Sequence, residues 1–245
     1  MNVIEAGFLG ILQGLTEFLP VSSSGHLVIA QSLMPGFVQP GVLFDVMLHA
    51  GTLSAVLLYF RKTLVSLDKN YLLLLFVGSL PALVVGLLFQ NFFEGLFSGT
   101  LIVGFALIIT SIVNYLTDKT KKKKSDFNYL DSFLVGIAQA IAIVPGISRS
   151  GSTIFAATGL GIDRKKAAEF SFILSIPAIF GASILQLTKY YSDVNGSFTT
   201  YFIGFIFASV TGYFAVSLVI KTLLSKRFIF FAVYCGVVGI LALFI

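Results

Sequence analysis

Two short polar loops stand out because each interrupts a long apolar stretch of the chain. The first is Pro20-Val-Ser-Ser-Ser-Gly-His26 and the second is Pro145-Gly-Ile-Ser-Arg-Ser-Gly151. The positions that recur at one constant offset are Ser22 and Ser148, Ser24 and Ser150, Gly25 and Gly151, Gly10 and Gly136, Ile11 and Ile137, and Gln13 and Gln139. The loops therefore look like two copies of one functional element.

Phosphate binding is the chemistry that such loops favour. Each loop ends where a short helix is predicted to begin, and free backbone N–H groups with small hydroxyl side chains at a helix N-terminus bind anions. Arg149 adds a permanent charge whose planar fork matches phosphate oxygens. The serines could instead only cap the helices. A matched pair of loops with a charged residue in an apolar setting favours a site for a highly charged anion, such as a diphosphate.

Two ionisable residues flank the first loop. Glu17 follows Gln13 by four residues, so both side chains lie on one face of the helix that leads into the loop. Glu17 could act on the anion, pair with Arg149, or be a neutral hydrogen-bonded carboxyl. His26 opens the next helix beside the serines, where it could transfer protons or act as a nucleophile, or only satisfy a polar contact.

Three further polar residues have a simpler interpretation. Asp45 and Glu169 are predicted in the first turn of long helices, where an acid compensates the helix dipole. His49 follows Asp45 by one turn, and we expect the two side chains to pair. We do not expect these three residues to carry the chemistry.

The elements that hold the loops are predicted to be membrane helices. The 245 residues are 57% hydrophobic and 11% charged, which is too apolar for a soluble domain. Ten apolar segments divide five to each half: 3–19, 25–34, 42–60, 71–92 and 100–117, then 130–144, 151–161, 167–188, 199–220 and 228–245. The first two of each half are short or polar, so they predict a re-entrant helix–loop–helix pair, and the other six segments predict transmembrane helices.

Charge predicts the orientation. This layout puts all of the 16 basic residues except Arg149 and Lys189 on one face, which the positive-inside rule makes cytoplasmic. Both termini and the first loop would then face outside. Three crossings per half invert the second half, giving inverted repeats over about 1–118 and 127–245, joined by a basic linker over 118–128. The net charge of +5 thus reports topology and indicates no nucleic-acid partner.

The loop sequences resemble a known family. Gln13-Gly-Leu-Thr-Glu-Phe-Leu-Pro-Val-Ser-Ser-Ser-Gly-His26 and Pro145-Gly-Ile-Ser-Arg-Ser-Gly-Ser-Thr153 are similar to the two signature motifs of undecaprenyl-diphosphate phosphatases, also called bacitracin-resistance proteins. The resemblance covers essentially the whole chain. It implies a plasma-membrane enzyme that removes the terminal phosphate of the C55 isoprenoid diphosphate on the outer face. The product would be recycled for cell-wall synthesis, and the activity would protect against bacitracin.

The resemblance also implies roles for individual residues. The implied catalytic residues are Glu17, His26, Ser23 and Arg149, and the implied substrate-binding residues are Ser22, Ser24, Gly25, Ser148, Ser150, Thr153 and Gln13. A divalent cation, Mg²⁺ or Ca²⁺, would bind at Glu17 and the phosphates. The nucleophile stays open between Ser23, His26 and water, with Ser23 or water favoured.

Two positions depart from the family pattern. Gln13 stands where many members have Glu, which weakens a metal site built from two carboxylates. Cys235 follows Tyr234 where an Arg is expected. A transporter or flippase for the lipid carrier is the alternative function, because inverted repeats are typical of transporters.

Overall fold

The fold is all-α over the residues that the computed structural model describes, which are 1–34, 42–96, 99–121, 124, 126–189 and 197–245. Within these residues the chain forms twelve helices. They are α1 (Val3–Phe18), α2 (Ser23–Leu33), α3 (Val42–Tyr59), α4 (Arg61–Val65), α5 (Lys69–Leu88), α6 (Gln90–Leu96), α7 (Thr100–Thr117), α8 (Tyr129–Ile141), α9 (Arg149–Gly159), α10 (Arg164–Lys189), α11 (Phe198–Leu224) and α12 (Ile229–Ala242). No β-strand is assigned in those ranges, so the predicted all-α class is confirmed.

Four helices, α5, α7, α10 and α11, are long and apolar enough to cross a membrane. They leave large apolar side chains uncovered. On α5, for example, Phe76 is 62% and Leu88 is 72% exposed. Exposed apolar surface of this extent is accommodated by lipid. The prediction of a multi-pass membrane protein is thereby supported. α12, with 14 residues, is shorter than these four helices, whereas α3, with 18, is as long as α7.

The first helix of each half begins in the same way. Asn2 caps α1 in a capping box with Glu5, and Asn128 caps α8 in a capping box with Asp131. In each box the Asn side chain accepts from the backbone of the acid, and the acid accepts from the backbone of the Asn. The spacing between the boxes equals the offset between the two polar loops.

The helices form exchanged helix pairs, in which a helix of one half packs on a helix of the other half. α1 packs along α11, and α8 packs along α5. The backbones approach so closely that a Cβ on Gly10 would lie 2.6 Å from the carbonyl oxygen of Gly204, and a Cβ on Gly136 would meet the carbonyl oxygen of Gly78. The two glycine pairs are related by the same offset as the loops, since Gly10 corresponds to Gly136 and Gly78 to Gly204.

Two more contacts complete this pattern. α3 packs on α10, and α7 packs on α12, so each pair joins one helix from either half. Gly104 of α7 and Gly239 of α12 bring that pair into close contact, because a Cβ on either glycine would lie 2.9 Å from the carbonyl oxygen of the other. The α7–α12 pair lies beside both polar loops.

The segment boundaries agree with the predicted ones except at three places. The short helices α4 and α6 were not predicted. α10 begins at Arg164, because the Asp163 side chain accepts hydrogen bonds from the backbones of Lys165 and Lys166 at 3.1 and 3.4 Å. Glu169 therefore lies in the second turn of α10, and its predicted place in the first turn was wrong. Residues 122, 123 and 125 of the predicted linker lie outside the described residues.

Candidate active site

The two polar loops contact each other directly. The backbone N–H of Gly146 in the second loop donates to Ser22 Oγ in the first at 3.1 Å, and Ser150 Oγ donates to the carbonyl oxygen of Leu19 at 3.1 Å. A Cβ on Gly25 would come within 2.9 Å of Gly146 Cα. The two loops, which the sequence predicts to be copies of one element, therefore meet at one point.

The serines cap the two following helices in the same way. Ser22 Oγ accepts from Gly25 N at 3.4 Å at the start of α2, and Ser148 Oγ accepts from Gly151 N at 3.1 Å at the start of α9. In both loops the capping hydroxyl lies 3.3 Å from the hydroxyl two residues later. Both helix N-termini therefore point into the region where the loops meet, and each adds partial positive charge there.

Ser22 has an unusual backbone conformation. Its φ of 70° lies in the left-handed region, which a residue with a Cβ rarely adopts, whereas its counterpart Ser148 has a φ of −76°. Such a conformation costs about 1–3 kcal/mol and persists only where neighbouring contacts enforce it. The bond from Gly146 N and the cap of α2 supply those contacts, so the second loop helps to hold the first in shape.

Glu17 and Arg149 connect the two loops through an ion pair. Arg149 Nη2 lies 2.5 Å from Glu17 Oε1, and the side chains are only 15% and 8% exposed. The other carboxylate oxygen, Oε2, accepts from Ser23 Oγ at 2.6 Å and from Gln13 Nε2 at 3.0 Å. Four predicted site residues thus form one hydrogen-bonded group. Arg149 Nη1 and Gln13 Oε1 are buried without a partner among the described residues.

Burial separates seven of the predicted catalytic and substrate-binding residues into two sets. Ser23, Ser24 and Arg149 are partly exposed, so a ligand can reach them. Ser22, Ser148, Ser150 and Thr153 are at most 3% exposed, and their hydroxyls are engaged with protein groups. Thr153, for example, shares a 2.6 Å hydrogen bond with Ser171. These buried hydroxyls shape the loops, and their direct contact with substrate stays a prediction.

His26 is buried, and both of its ring nitrogens are engaged. Nδ1 lies 2.7 Å from the carbonyl oxygen of Ser22, and Nε2 lies 2.8 Å from the hydroxyl of Tyr234 on α12. The two rings are nearly parallel, at 9°, with centroids 5.5 Å apart. Sequence reasoning missed Tyr234, which lies 208 residues from His26 in the chain.

Helix α7 supplies two further residues that sequence reasoning missed. Thr110 Oγ1 accepts from Ser148 N at 3.0 Å and donates to the carbonyl oxygen of Gly146 at 2.9 Å. Asn114, one turn later, donates to the carbonyl oxygen of Pro20 at 2.6 Å. One helix therefore holds both loops. The sequence of α7 could have indicated these contacts, because two polar residues four apart on an apolar helix lie on one face and indicate an internal contact.

The comparison with known proteins agrees with this geometry. The model of the family described as bacitracin resistance protein BacA matches residues 6–241. The chain belongs to this family. It is 41% identical to the undecaprenyl-diphosphatase of Syntrophotalea carbinolica, with 98% of this chain and 97% of the relative aligned. It is 45% identical to undecaprenyl-diphosphatase 4 of Bacillus cereus (99% and 97%), and 42% identical to the undecaprenyl-diphosphatase of Halothermothrix orenii (98% and 97%).

Cys235 is one of the two positions where this BacA-family chain departs from the expected pattern. Its side chain is fully buried, and Sγ lies 3.6 Å from the carbonyl oxygen of Pro20, at the start of the first loop. Asn114 Nδ2 lies 3.9 Å from the same sulfur. The thiol therefore packs in the protein interior against the loop.

Gln13, the other departure, limits what the protein can offer a cation. Within the described residues there is no group of three or more His, Cys, Asp or Glu side chains able to hold a metal ion. Glu17 and the unpaired Oε1 of Gln13 provide oxygen donors, which suit Mg²⁺ or Ca²⁺. They fit a cation that takes most of its ligands from phosphate groups.

Asp45, His49 and Glu169, which were not expected to carry the chemistry, have contacts of other kinds. His49 Nδ1 lies 2.8 Å from the backbone carbonyl oxygen of Asp45, so this contact between the two residues is through the backbone. His49 is close enough to Glu17 for an electrostatic interaction. Glu169 instead lines a separate cavity with Asp68 and Lys166.

Proposed function

We propose that this chain hydrolyses undecaprenyl diphosphate to undecaprenyl phosphate and inorganic phosphate in the membrane. The observation that carries the proposal is the contact of Ser23 and Arg149 with the same carboxylate, Glu17, at the point where two helix N-termini converge. An anion-binding position beside a hydroxyl and its potential base is what phosphoryl transfer requires. The names of the relatives, which are undecaprenyl-diphosphatases, support the same reaction.

Arg149 would bind the diphosphate. Its Nη2 is used by Glu17, while Nη1 is buried and has no partner among the described residues. A buried donor without an acceptor costs free energy, and a phosphate oxygen would satisfy it. The partly exposed Ser24 and the N–H groups of the first turns of α2 and α9 would be donors for other oxygens.

Ser23 would be the nucleophile and Glu17 its base. Ser23 Oγ already donates to Glu17 Oε2, so the carboxylate can accept that proton as Oγ attacks the terminal phosphorus. The bond from phosphorus to the bridging oxygen breaks, and undecaprenyl phosphate leaves. Water then hydrolyses the seryl phosphate and restores the hydroxyl. A water molecule activated by Glu17 at the same position is the alternative to Ser23.

His26 is a poorer candidate for the nucleophile. A carbonyl oxygen only accepts hydrogen bonds, so Nδ1 must carry the proton that is shared with Ser22. The lone pair of Nε2 is then directed at Tyr234. Attack by Nε2 would require this hydrogen bond to break and the buried ring to turn.

A divalent cation would bind chiefly through the diphosphate, with Glu17 and Gln13 as its protein ligands. When bound, it would neutralise negative charge on the phosphates. Because the described residues hold no group of three or more His, Cys, Asp or Glu side chains able to bind a metal, we expect little cation binding in the absence of substrate.

The proposed membrane layout has six transmembrane helices, α3, α5, α7, α10, α11 and α12, and two re-entrant pairs, α1–α2 and α8–α9, in two inverted repeats. Repeated capping boxes, glycine contacts and exchanged helix pairs support the repeats. α2 and α9, the second helices of the two proposed re-entrant pairs, have 11 residues each, about half of the roughly 20 that a span needs.

The proposed orientation puts the linker inside and both termini outside. Arg164, at the start of α10, bonds the carbonyl oxygens of Thr117 at the end of α7 and Leu223 at the end of α11. Asp118 accepts from the backbone of Ile229 at the start of α12. These basic ends therefore gather on one side, which supports a cytoplasmic face there. The α1–α2 pair then opens outward, so the reaction would occur at the outer face of the plasma membrane.

Cell-wall recycling and protection from bacitracin would follow from this reaction. A transporter or flippase of the same lipid is the competing function, but a binding site alone has no need for a hydroxyl aligned on a carboxylate. The Ser23–Glu17 contact favours hydrolysis.

The test is phosphate release by the purified protein from C15 and C55 isoprenoid diphosphates. We expect release by the unmodified chain and by Glu94→Gln, an exposed control on α6, and loss of about 10³-fold in Glu17→Gln. Binding of the lipid without release of phosphate by the unmodified chain would instead support the transporter.

A further inference from the structure

We propose that Tyr234 is a positioning residue, which acts through His26 to fix the peptide that carries Ser23. This role of Tyr234 rests on the proposed function, because it concerns the same reaction. Two hydrogen bonds and one peptide connect Tyr234 to the proposed nucleophile. The hydroxyl of Tyr234 bonds His26 Nε2, Nδ1 of His26 bonds the Ser22 carbonyl oxygen, and the Ser22–Ser23 peptide leads directly to Ser23.

The protons of these two hydrogen bonds can be assigned from the acceptors. The Ser22 carbonyl requires a proton on Nδ1 of His26, so in the neutral imidazole Nε2 has only a lone pair. The Tyr234 hydroxyl, which can donate, therefore supplies the proton of the second hydrogen bond. This bond locks the tautomer, because the alternative tautomer would leave Nδ1 facing a carbonyl with no proton between them.

The peptide that His26 holds is the strained one. Ser22 has a φ of 70°, and the bond from His26 Nδ1 to its carbonyl fixes the plane of the Ser22–Ser23 peptide. The orientation of this plane determines where Ser23 begins α2 and hence where its hydroxyl lies relative to Glu17. Loss of the bond from Tyr234 would free the imidazole to turn and release this constraint.

Helix α12 is well placed to provide the fixed point. The next residue, Cys235, packs against Pro20 at the start of the same loop. Ser111 of α7 donates to the carbonyl oxygen of Ala232 at 2.6 Å, which sets the register of α12 against the helix that holds both loops. The ring of Tyr234 also stacks on that of His26, so hydroxyl and ring restrain the imidazole together.

The first measurement is ¹⁵N NMR of the imidazoles in the purified full chain. The chain has two histidines, and His49→Gln identifies the signals of His26. We expect one protonated nitrogen, Nδ1, and one hydrogen-bonded unprotonated nitrogen, Nε2. Tyr234→Phe, which removes only the hydroxyl, should shift Nε2 towards a free lone pair or mix the tautomers, whereas Tyr213→Phe should leave both signals unchanged. Tyr213 is a matched control whose ring packs on Tyr59 and Phe214.

The second measurement is the rate of phosphate release. We expect Tyr234→Phe to lower kcat by about tenfold, as for loss of one hydrogen bond, with KM nearly unchanged. In a His26→Ala background the same change should have no further effect. A Tyr234→Phe protein with unchanged His26 signals, or with shifted signals and unchanged kcat, would overturn the proposal. Failure of the proposed function is distinguishable, because an unmodified chain without phosphatase activity would still show the His26 signals.

Discussion

Arg149 in the second loop forms an ion pair with Glu17 in the first, and the two residues are 132 positions apart in the chain. The pair is largely shielded from solvent, and it connects the guanidinium of the second half of the chain to the carboxylate of the first half. Removing one partner leaves a buried charge uncompensated, which costs about 3–5 kcal/mol in soluble proteins.

Replacing both Glu17 and Arg149 should therefore restore stability that replacing Glu17 alone removes, but it should not restore activity. We expect Glu17→Gln to lower the thermal unfolding temperature in detergent, and the double variant Glu17→Gln/Arg149→Met to recover much of that loss. Both proteins should be inactive, since each lacks the base. If the double variant were less stable than the single one, the ion pair would not be the reason for the loss.

Gly146 should tolerate no side chain. Its φ is +96°, and a Cβ would lie 2.6 Å from Ala106 Cβ and 2.7 Å from the carbonyl oxygen of Val103. Gly146→Ala should cost more than about 2 kcal/mol and displace Ser22, because Gly146 N donates to its hydroxyl. Gly159→Ala, at a helical position with no atoms within 4 Å, is the control and should be neutral within about 0.5 kcal/mol. Equal unfolding temperatures of the two variants would contradict this account of the second loop.

Gln13 should set the cation dependence. If a divalent cation binds mainly through the diphosphate, chelation should abolish phosphate release, and Mg²⁺ or Ca²⁺ should restore it. Gln13→Glu adds a second carboxylate beside Glu17, so it should lower the cation concentration needed for half-maximal rate by about tenfold. Gln90→Glu on α6 should not change it. Full activity after chelation would remove the cation from the mechanism.

The orientation can be tested with two introduced cysteines. Ser66, after α4, is predicted inside, and Ser197, before α11, is predicted outside; both are exposed. An impermeant maleimide added to intact cells should label Ser197→Cys, and it should label Ser66→Cys only after permeabilisation. The buried Cys235 should stay unlabelled in both. Labelling of Ser66→Cys in intact cells would reverse the orientation.

Much of the site could be predicted because the repeat is visible in the sequence. The constant offset between Ser22 and Ser148 predicts that the loops meet, and an acid and an arginine in apolar surroundings predict that Glu17 and Arg149 have partners. The contact of Tyr234 with His26 could not be predicted in this way, because α12 is a continuous apolar segment and its register depends on packing against α7. Glu169 was misplaced for a local reason, since the Asp163 cap extends α10 through three basic residues.

The most direct test of the central claim compares Ser23→Ala with Ser32→Ala in single-turnover release of phosphate from an isoprenoid diphosphate. Both changes remove a hydroxyl from α2, but Ser32 is exposed and its hydroxyl donates to the backbone carbonyl oxygen of Ile29. We predict that Ser32→Ala releases phosphate at the unmodified rate, and that Ser23→Ala is slower by about 10³-fold or more although it still binds the lipid. Release by Ser23→Ala at the unmodified rate would contradict the account.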